Sequence, residues 1–279
     1  MYKNELTTEL KEFLTNLKYD EKAARTISKY KCNVQNFINF LNDDEEITKD
    51  HVLAFKEYLI VNNFKTSTVN NYIVTVNKFL KFVDLKNCTV KQLKQQRKSS
   101  LNEVLSTTDY KRLLRLAKLT NRMDMYCIMK ILAMTGIRIS ELEYFTIENI
   151  KGNYISATNK GKERVIVLRQ DLARELRKYC RDNNIRTGYM FRGQIEGKMP
   201  DKSTIWRNLK KIAGKAKVKK SKVHAHSFRH LFAKQFLEEY NDSITELADI
   251  MGHNSLETTR IYTRSTDEEK RKKLEKIKY

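Results

Sequence analysis

The hydrophobic positions in the first third of the chain repeat at the spacing of an α-helix. One apolar stripe runs through residues 26–42, a second starts after Thr48, and a third extends from Val69 to Val83. The N-terminal stretch MYKNELTTELKEFL is amphipathic as well. Apolar residues at this spacing are typical of the buried face of a helix. The pattern therefore predicts four packed helices in a small helical domain at residues 1–97.

The segment KQLKQQRKSSLNE (91–103) has no apolar stripe and is polar and basic, which is typical of a linker. We place the linker at residues 98–104 and a second domain at residues 105–279. The charge of this segment is either that of a solvated joint or, if the two domains close around a duplex, that of a contact to the DNA backbone.

The second domain is predicted to be helical around one hairpin. It begins with a helix capped by Ser106, and the buried helix MDMYCIMKILAMTG stops at Gly136. Two β-rich runs, YISAT and RVIVL, then flank a short turn that contains Gly161. Helical spacing returns at residues 170–183, 203–217, 226–240 and 244–251. The predicted fold class is mainly α with a small β-hairpin.

The composition is that of a folded protein with a strong positive charge. Of 279 residues, 40% are hydrophobic and 10% are aromatic, which excludes a disordered chain. The 55 Lys and Arg residues against 34 Asp and Glu give a formal charge of +21, which attracts polyanions, nucleic acid first. An anionic membrane surface is disfavoured, because the basic residues are spread through folded segments rather than along one amphipathic helix.

Several features favour a cytoplasmic protein. The sequence has no run of about 18 apolar residues, and its N-terminus lacks the apolar centre of a secretory signal. The four cysteines are scattered without a CxxC pair, which fits reduced thiols and not a disulfide framework or a zinc site. The sequence has no GxxxxGKS loop and no cluster of acidic metal ligands, so none of its motifs indicates a cofactor or a metal.

The joint TGIRISELE holds the first candidate residue. Gly136 ends one helix, and Ser140 with Glu143 three residues later predicts a capping box for the next helix. Arg138 is therefore fixed in a tight joint between two helices. An arginine in that position is either a surface residue or a positioned anion clamp.

The segment HAHSFRH and the hairpin turn add further basic candidates. His226 and Arg229 are three residues apart and so share one face of a helix. This spacing fits a basic surface and a site equally well, and His224 and His230 leave open which histidine matters. Lys160 at the turn is typical of a solubilising residue, but a lysine on a hairpin can also reach a ligand and donate a proton.

The segment MGHNSLETTRIYTR joins two helices. Gly252 closes the first helix, and Asn254 followed by Glu257 predicts the N-cap of the second. His253 then precedes a helix on which Tyr262 lies about two turns in. Because a tyrosine side chain leans toward the N-terminus of its helix, His253 and Tyr262 can reach one phosphate-sized target.

These motifs occur in a fixed order in one domain. The order is Arg138 in GIRISEL, a lysine on a hairpin, HSFR, GH and a tyrosine nine residues later. The set resembles the tyrosine recombinase (phage integrase) family, especially Xer-like recombinases and integrases of mobile elements. The likeness covers residues 105–266. The N-terminal third is similar to the family's SAM-like, DNA-binding core-binding domain in being a small helical domain ahead of a linker. The resemblance implies a helical core-binding domain followed by an α+β catalytic domain.

The resemblance also implies a reaction. Tyr262 would attack the scissile phosphate of double-stranded DNA, leaving a 3′-phosphotyrosine and a free 5′-hydroxyl, without ATP or metal. Arg138 and Arg229 would bind the non-bridging oxygens. Integration or excision of a mobile element and Xer-type recombination both stay open. The alternatives are relaxation of DNA by a type IB topoisomerase-like enzyme and a non-catalytic architectural DNA-binding protein.

The resemblance gives helper roles to four further residues. His253 would donate a hydrogen bond to the same phosphate oxygens, and Lys160 would protonate the leaving 5′-oxygen. His226 would accept the tyrosine proton or donate to the phosphate. Glu141 would hold Arg138 or His226 in place, because an unanchored clamp loses its pre-organisation.

Basic residues around these motifs are candidates for DNA backbone contacts. Seven of them lie in KKIAGKAKVKKSK, namely Lys210, Lys211, Lys215, Lys217, Lys219, Lys220 and Lys222. Arg260 and Arg264 beside Tyr262 fit either DNA contacts or plain surface charge. A tail helix at 267–279 either folds back on its own chain or docks on a neighbouring protomer of a homotetramer around two DNA sites. The family likeness also implies accessory DNA-bending proteins and a location at the nucleoid.

Overall fold

The structure, a computed structural model, describes most of the chain. The described residues are 1–42, 45–94, 104–159, 162–195, 197–240, 243–252 and 255–263, together with 271, 274 and 275. The chain divides into two compact units, Met1–Arg97 and Lys98–Tyr279. The predicted linker at 98–104 lies outside the described residues except for residue 104. The predicted tail helix at 267–279 lies outside them except for residues 271, 274 and 275.

In the described part of the first unit, four α-helices pack around an apolar core. They are α1 (Lys3–Tyr19), α2 (Ala24–Phe40), α3 (Lys49–Val61) and α4 (Thr66–Phe82). The predicted apolar stripes form this core. Phe37 of α2 and Phe55 of α3 are fully buried and meet edge to face, with 5.3 Å between their ring centroids. The prediction of four packed helices is confirmed.

The described part of the second unit is helical around one hairpin. Its elements are α5 (Thr107–Leu119), α6 (Met123–Thr135), β1 (Tyr154–Asn159), β2 (Lys162–Val167), α7 (Gln170–Asp182), α8 (Lys202–Lys215), α9 (Ala225–Glu239), α10 (Ile244–Met251) and α11 (Leu256–Thr259). Short 3-10 helices lie at Lys86–Cys88, Ile139–Tyr144, Asn149–Lys151, Lys220–Lys222 and Arg260–Thr263. Most side chains of α6 are buried, and this helix packs against α5, α7 and α9. As predicted, the Ser106 side chain caps α5, accepting a hydrogen bond from the backbone N–H of Asp109 at 3.0 Å.

The predicted hairpin is confirmed as an antiparallel pair of strands in which Tyr154 lies opposite Val167. Successive side chains alternate between the two faces, so Ile155 and Ile166 are buried while Tyr154 and Val167 are exposed. Arg164 is two residues from Ile166 and therefore shares its inward face. Strand β2 thus carries a charged side chain toward the interior of the second unit.

The predicted start of the helix after Gly136 is wrong. The left-handed backbone of this glycine (φ 60°) redirects the chain, and a 3-10 helix begins at once. Its cap is Arg138, whose backbone N–H donates to the Glu141 carboxylate at 2.7 Å. The capping box of this 3-10 helix is therefore formed by Arg138 and Glu141, and not by the predicted pair of Ser140 and Glu143.

The helix before Tyr262 also starts later than predicted. It begins at Leu256, and its cap is Ser255, whose hydroxyl accepts a hydrogen bond from the backbone N–H of Glu257 at 3.3 Å. The predicted cap, Asn254, lies outside the described residues. The α-helix lasts a single turn and continues as a 3-10 helix. Tyr262 therefore lies in a 3-10 turn and not two turns deep in an α-helix.

Candidate active site

Arg229 lies on the second turn of α9 and is 1% exposed. Its guanidinium donates hydrogen bonds to the backbone carbonyls of Gly136 and, at 2.9 Å, of Met251. These carbonyls lie at the C-terminal ends of α6 and α10, where the partial negative charge favours a cation. Each helix ends in a left-handed glycine, Gly136 or Gly252, with φ of 60° and 63°. Two helix ends and α9 therefore hold this arginine in place.

Tyr262 is enclosed beside Arg229. Its side chain is 5% exposed and packs in an apolar cluster with Leu237 and Met251. The His230 ring meets it edge-on, with 4.6 Å between the ring centroids. The Tyr262 side chain also forms a hydrogen bond with the Arg229 side chain. The tyrosine is thus both a packed residue and the partner of a buried cation.

Arg138 and Glu141 form the next charged group. The Arg138 guanidinium, 36% exposed, contacts the Glu141 carboxylate at 3.3 Å and donates to the Gly252 carbonyl at 3.0 Å. Burial of Glu141 acts to raise its pKa. The backbone N–H of Arg138 and the charges of Arg164 and Arg138 outweigh that burial and lower the pKa. The carboxylate is therefore ionised at neutral pH. The sequence analysis expected Glu141 to hold Arg138 or His226, and the structure shows its contact with Arg138.

Two histidines lie on one face of α9 beside the tyrosine. His226 and His230 are one turn apart, with 4.8 Å between their ring centroids. Burial, and then the charge of Arg229, lowers the pKa of His226. Burial, and then the neighbouring His226, lowers the pKa of His230 to about 4. Both rings are neutral near pH 7 and keep a lone pair. His230 was not predicted as a site residue, although its spacing of four from His226 is a sequence signal for it.

Arg164 is a second site residue that the sequence analysis missed. From β2, its guanidinium donates to the Glu141 carboxylate at 2.7 Å and to the Ile250 carbonyl at 2.6 Å. Its side chain is 11% exposed. A signal was present, because the alternation in RVIVL places this arginine on the same face as the buried Ile166.

The predicted site residues fall into four groups. The structure brings together Arg138, Glu141, His226, Arg229 and Tyr262. Lys160, His253 and Arg264 lie outside the described residues. The candidate DNA-contact lysines lie on the second half of α8 and in the turn that follows it, most of them exposed. Arg260 is exposed and pairs with Glu257 at 3.3 Å, which is the arrangement of a surface ion pair.

The site is a convergence of charged side chains from several elements. A cavity of about 720 Å³ beside α7 is lined by other residues, including Lys118, Tyr126 and Glu175. Among the described residues, no three or more His, Cys, Asp or Glu side chains cluster in a way that could hold a metal ion. None of the helices in the described part of the chain combines the length and hydrophobicity needed to cross a bilayer.

Comparison with known sequences identifies the family. The sequence profile of the phage integrase family matches residues 103–269, more than half of the chain. The chain belongs to the phage integrase family. The profile of the N-terminal SAM-like domain of phage integrases matches residues 10–73, within the first helical unit. The resemblance inferred from the motifs is therefore confirmed, and the chain is a tyrosine recombinase.

Relatives match the chain over nearly its whole length. Tyrosine recombinase XerA of Pyrococcus furiosus is 30% identical over 266 residues, covering 92% of this chain and 89% of XerA. The XerH site-specific recombinase bound to its difH substrate has the same fold, with a TM-score of 0.70, 18% identity and coverage of 97% and 84%. A lambda integrase tetramer bound to a Holliday junction gives a TM-score of 0.73 at 15% identity, with coverage of 92% and 76%. The predicted fold class is confirmed, and the activity of this family is site-specific recombination.

Proposed function

We propose that this recombinase cuts and rejoins DNA strands through a covalent 3′-phosphotyrosyl bond on Tyr262. The observation that carries the proposal is the hydrogen bond between the Tyr262 and Arg229 side chains. Arg138 reaches the carbonyl of Gly252 next to Met251, the residue whose carbonyl Arg229 holds. A nucleophile and two guanidinium groups that match phosphate oxygens thus converge on one short segment.

In the proposed step, the phenol oxygen of Tyr262 bonds to phosphorus as the bond from phosphorus to the 5′-oxygen breaks. The phenol proton passes to His226, whose lowered pKa supports the acceptor role over that of a charged donor. Lys160 gives a proton to the leaving 5′-oxygen, and His253 donates to the phosphate. The exchanged bonds are of similar energy, so the reverse step can rejoin a strand.

The arginines stabilise the charge that develops on the non-bridging oxygens. Arg138 is partly exposed and is the first of the two that an incoming phosphate can meet. Arg229 and Tyr262 are closed to solvent, at 1% and 5% exposure. A phosphate therefore reaches Arg229 only when the segment that carries Tyr262 shifts, and DNA binding must supply the free energy for that shift.

Binding to the duplex is proposed to come from both units. In the second unit, the lysines of residues 210–222 and the arginines beside Tyr262 would neutralise backbone phosphates, which makes the affinity fall steeply with salt. The lambda integrase tetramer bound to a Holliday junction supports assembly as a tetramer. We place this tetramer on two DNA sites, with the tail at 267–279 docked on a neighbouring protomer. We also propose that accessory DNA-bending proteins take part and that the recombinase is located at the nucleoid.

The chemistry is tested by trapping the covalent bond. The chain is incubated with a pool of random-sequence duplexes that carry nicks, because a nick lets the free strand end diffuse away after cleavage. We expect a protein–DNA adduct that survives denaturant and is absent for Tyr262→Phe. The matched control is Tyr240→Phe, an exposed tyrosine at the end of α9, which should form the adduct normally.

Two outcomes would contradict the proposal. An adduct that persists in Tyr262→Phe would place the nucleophile elsewhere, and no adduct in any variant would favour an architectural DNA-binding role. Duplexes recovered from the adduct then serve in a two-site recombination assay beside a supercoil-relaxation assay. Relaxation without strand exchange between sites would favour the type IB topoisomerase-like alternative.

A further inference from the structure

We propose that Arg164 is a positioning residue, which locks Glu141, and through it the Arg138 clamp, to the backbone segment 250–252. The inference rests on the proposed function, because it assigns Arg164 a part in preparing the same phosphate site. Arg164 was not among the residues that the motifs singled out. Its role follows from a closed ring of hydrogen bonds.

The ring is built from two arginines that share one carboxylate. Arg164 donates to Oε2 of Glu141 at 2.7 Å, and Arg138 approaches Oε1 at 3.3 Å. On the other side, Arg164 donates to the Ile250 carbonyl at 2.6 Å, and Arg138 donates to the Gly252 carbonyl at 3.0 Å. Each guanidinium therefore bridges the carboxylate and the end of α10. A fork of N–H donors is needed for such a double contact.

The two arginines differ in what they can reach. Arg138 is 36% exposed and can meet a phosphate, whereas Arg164 is 11% exposed and lies on the inward face of β2. Both terminal nitrogens of Arg164 are engaged by protein oxygens. Because Arg164 is the less exposed of the two, we assign it an action on DNA through the groups that it holds, with Arg138 as the group that touches the phosphate.

The backbone at Gly252 is shaped to admit the Arg164 side chain. A Cβ atom at Gly252 would lie 2.6 Å from Cδ of Arg164, closer than nonbonded atoms allow. The glycine also has φ of 63°, a left-handed value that closes α10. The ring therefore fixes the position of backbone segment 250–252. The Met251 carbonyl of this segment accepts a hydrogen bond from Arg229, and His253 is the next residue in the sequence.

The ring also accounts for the charge of Glu141. Two guanidinium groups and a backbone N–H face a carboxylate that is 1% exposed. Removing Arg164 would leave that buried charge with fewer donors and free it to pull Arg138 into a different pose. Misplacing a clamp by about 1 Å costs on the order of 100-fold in rate, so a displaced Arg138 should slow the chemical step.

The experiment measures the single-turnover rate of adduct formation on the nicked duplex pool, with protein in saturating excess. The variants are Arg164→Lys, which keeps the charge but loses the fork, and Arg164→Met. The control is Arg169→Met, an exposed arginine just ahead of α7 that pairs with Asp171. We expect both Arg164 variants to slow adduct formation by about 10- to 100-fold, as loss of a supporting partner does, with unchanged affinity for the pool. Arg169→Met should match the unmodified chain.

A double-mutant cycle separates positioning from general loss of stability. If Arg164 acts through Arg138, then Arg164→Met should cost little in an Arg138→Ala background. If Arg164 contributed to stability alone, the rate losses of Arg164→Met and Arg138→Ala would multiply in the double variant, and this result would overturn the inference. Should Arg164→Met fail to fold by near-ultraviolet circular dichroism, the cycle is run with Arg164→Lys.

The outcomes distinguish this inference from the proposed function. If the unmodified chain forms no adduct, the proposed function fails and the inference falls with it. If the unmodified chain reacts and both Arg164 variants react at the same rate, only the inference is wrong. A loss of affinity with an unchanged rate at saturation would make Arg164 a DNA contact and would also overturn it.

Discussion

The two units bury different kinds of side chain. Among the described residues of the first unit, the buried polar side chains are uncharged, with Asn33 donating to Thr75 at 3.1 Å inside an apolar core. The second unit encloses Glu141 and Arg229, each 1% exposed. Buried charges cost free energy even when they are paired, whereas apolar packing stabilises a fold. The first unit is therefore built for stability, and the second gives up part of its stability to hold a reactive arrangement.

The largest expected effect is on stability and lies in the first unit. Phe37→Ala should lower the free energy of unfolding of that unit by about 3–5 kcal/mol, because it leaves a cavity next to Phe55. Trp206 is the single tryptophan and lies on α8, so its fluorescence reports on the second unit. In urea, the circular dichroism transition of the first unit should move while the fluorescence transition stays in place.

The control for Phe37→Ala is Ile60→Ala, an exposed residue of α3, which should change neither transition. If Phe37→Ala shifted the fluorescence transition equally, the two units would not be independent in stability.

The next effect is on activity and lies in the second unit. Arg229→Lys keeps the buried charge but cannot reproduce the guanidinium fork between two helix ends. We expect adduct formation to slow by about 100- to 1000-fold, as for loss of one preorganised donor to the transition state. The rate is measured at saturating protein, beside Arg207→Lys as an exposed control on α8. Equal rates of adduct formation for the two variants would show that Arg229 takes no part in the reaction.

Gly252→Ala should have a smaller effect on stability. It places a side chain where φ is 63° and where Cδ of Arg164 is 2.6 Å away. Left-handed strain alone costs about 1–2 kcal/mol, read from the fluorescence transition. Gly188→Ala is a matched control, because Gly188 also has positive φ (74°) but nothing within 4 Å of the added atom. Adduct formation should slow for Gly252→Ala only, and equal slowing of both would show that contact with Arg164 is unimportant.

The effect that is smallest near neutral pH is a pH dependence in the second unit. The pKa of His230 is about 4 in the folded chain and 6.5 in the reference state. Between these values the unfolded chain binds more protons, so stability is present above pH 6.5 and is lost as the pH falls toward 4. Urea titrations followed by Trp206 fluorescence should show this loss. His230→Phe, which retains a ring beside Tyr262, should weaken the dependence, and an unchanged slope would contradict the assignment.

Local patterns were enough to predict the helices and the hairpin, because periodicity and turn residues act over a few positions. The same patterns failed for the helix starts after Gly136 and before Tyr262, where a cap depends on how one left-handed or extended residue turns the chain. Arg164 and His230 carried sequence signals, an inward position on β2 and a spacing of four on α9. They were missed because those signals do not say what each side chain contacts, which depends on how β2, α9 and α10 pack. Neither the burial of Tyr262 nor its hydrogen bond to Arg229 can be derived from spacing, since the two residues are 33 positions apart in the chain.

The central claim is tested most directly by finding where DNA is attached. The trapped adduct is digested with nuclease and trypsin, and the modified peptide is sequenced by mass spectrometry. Cleavage after Arg260 and Arg264 should release the peptide IYTR with a 3′-linked nucleotide on Tyr262. A nucleotide on any other residue, or a denaturant-resistant complex without a tyrosyl linkage, would contradict the proposed chemistry.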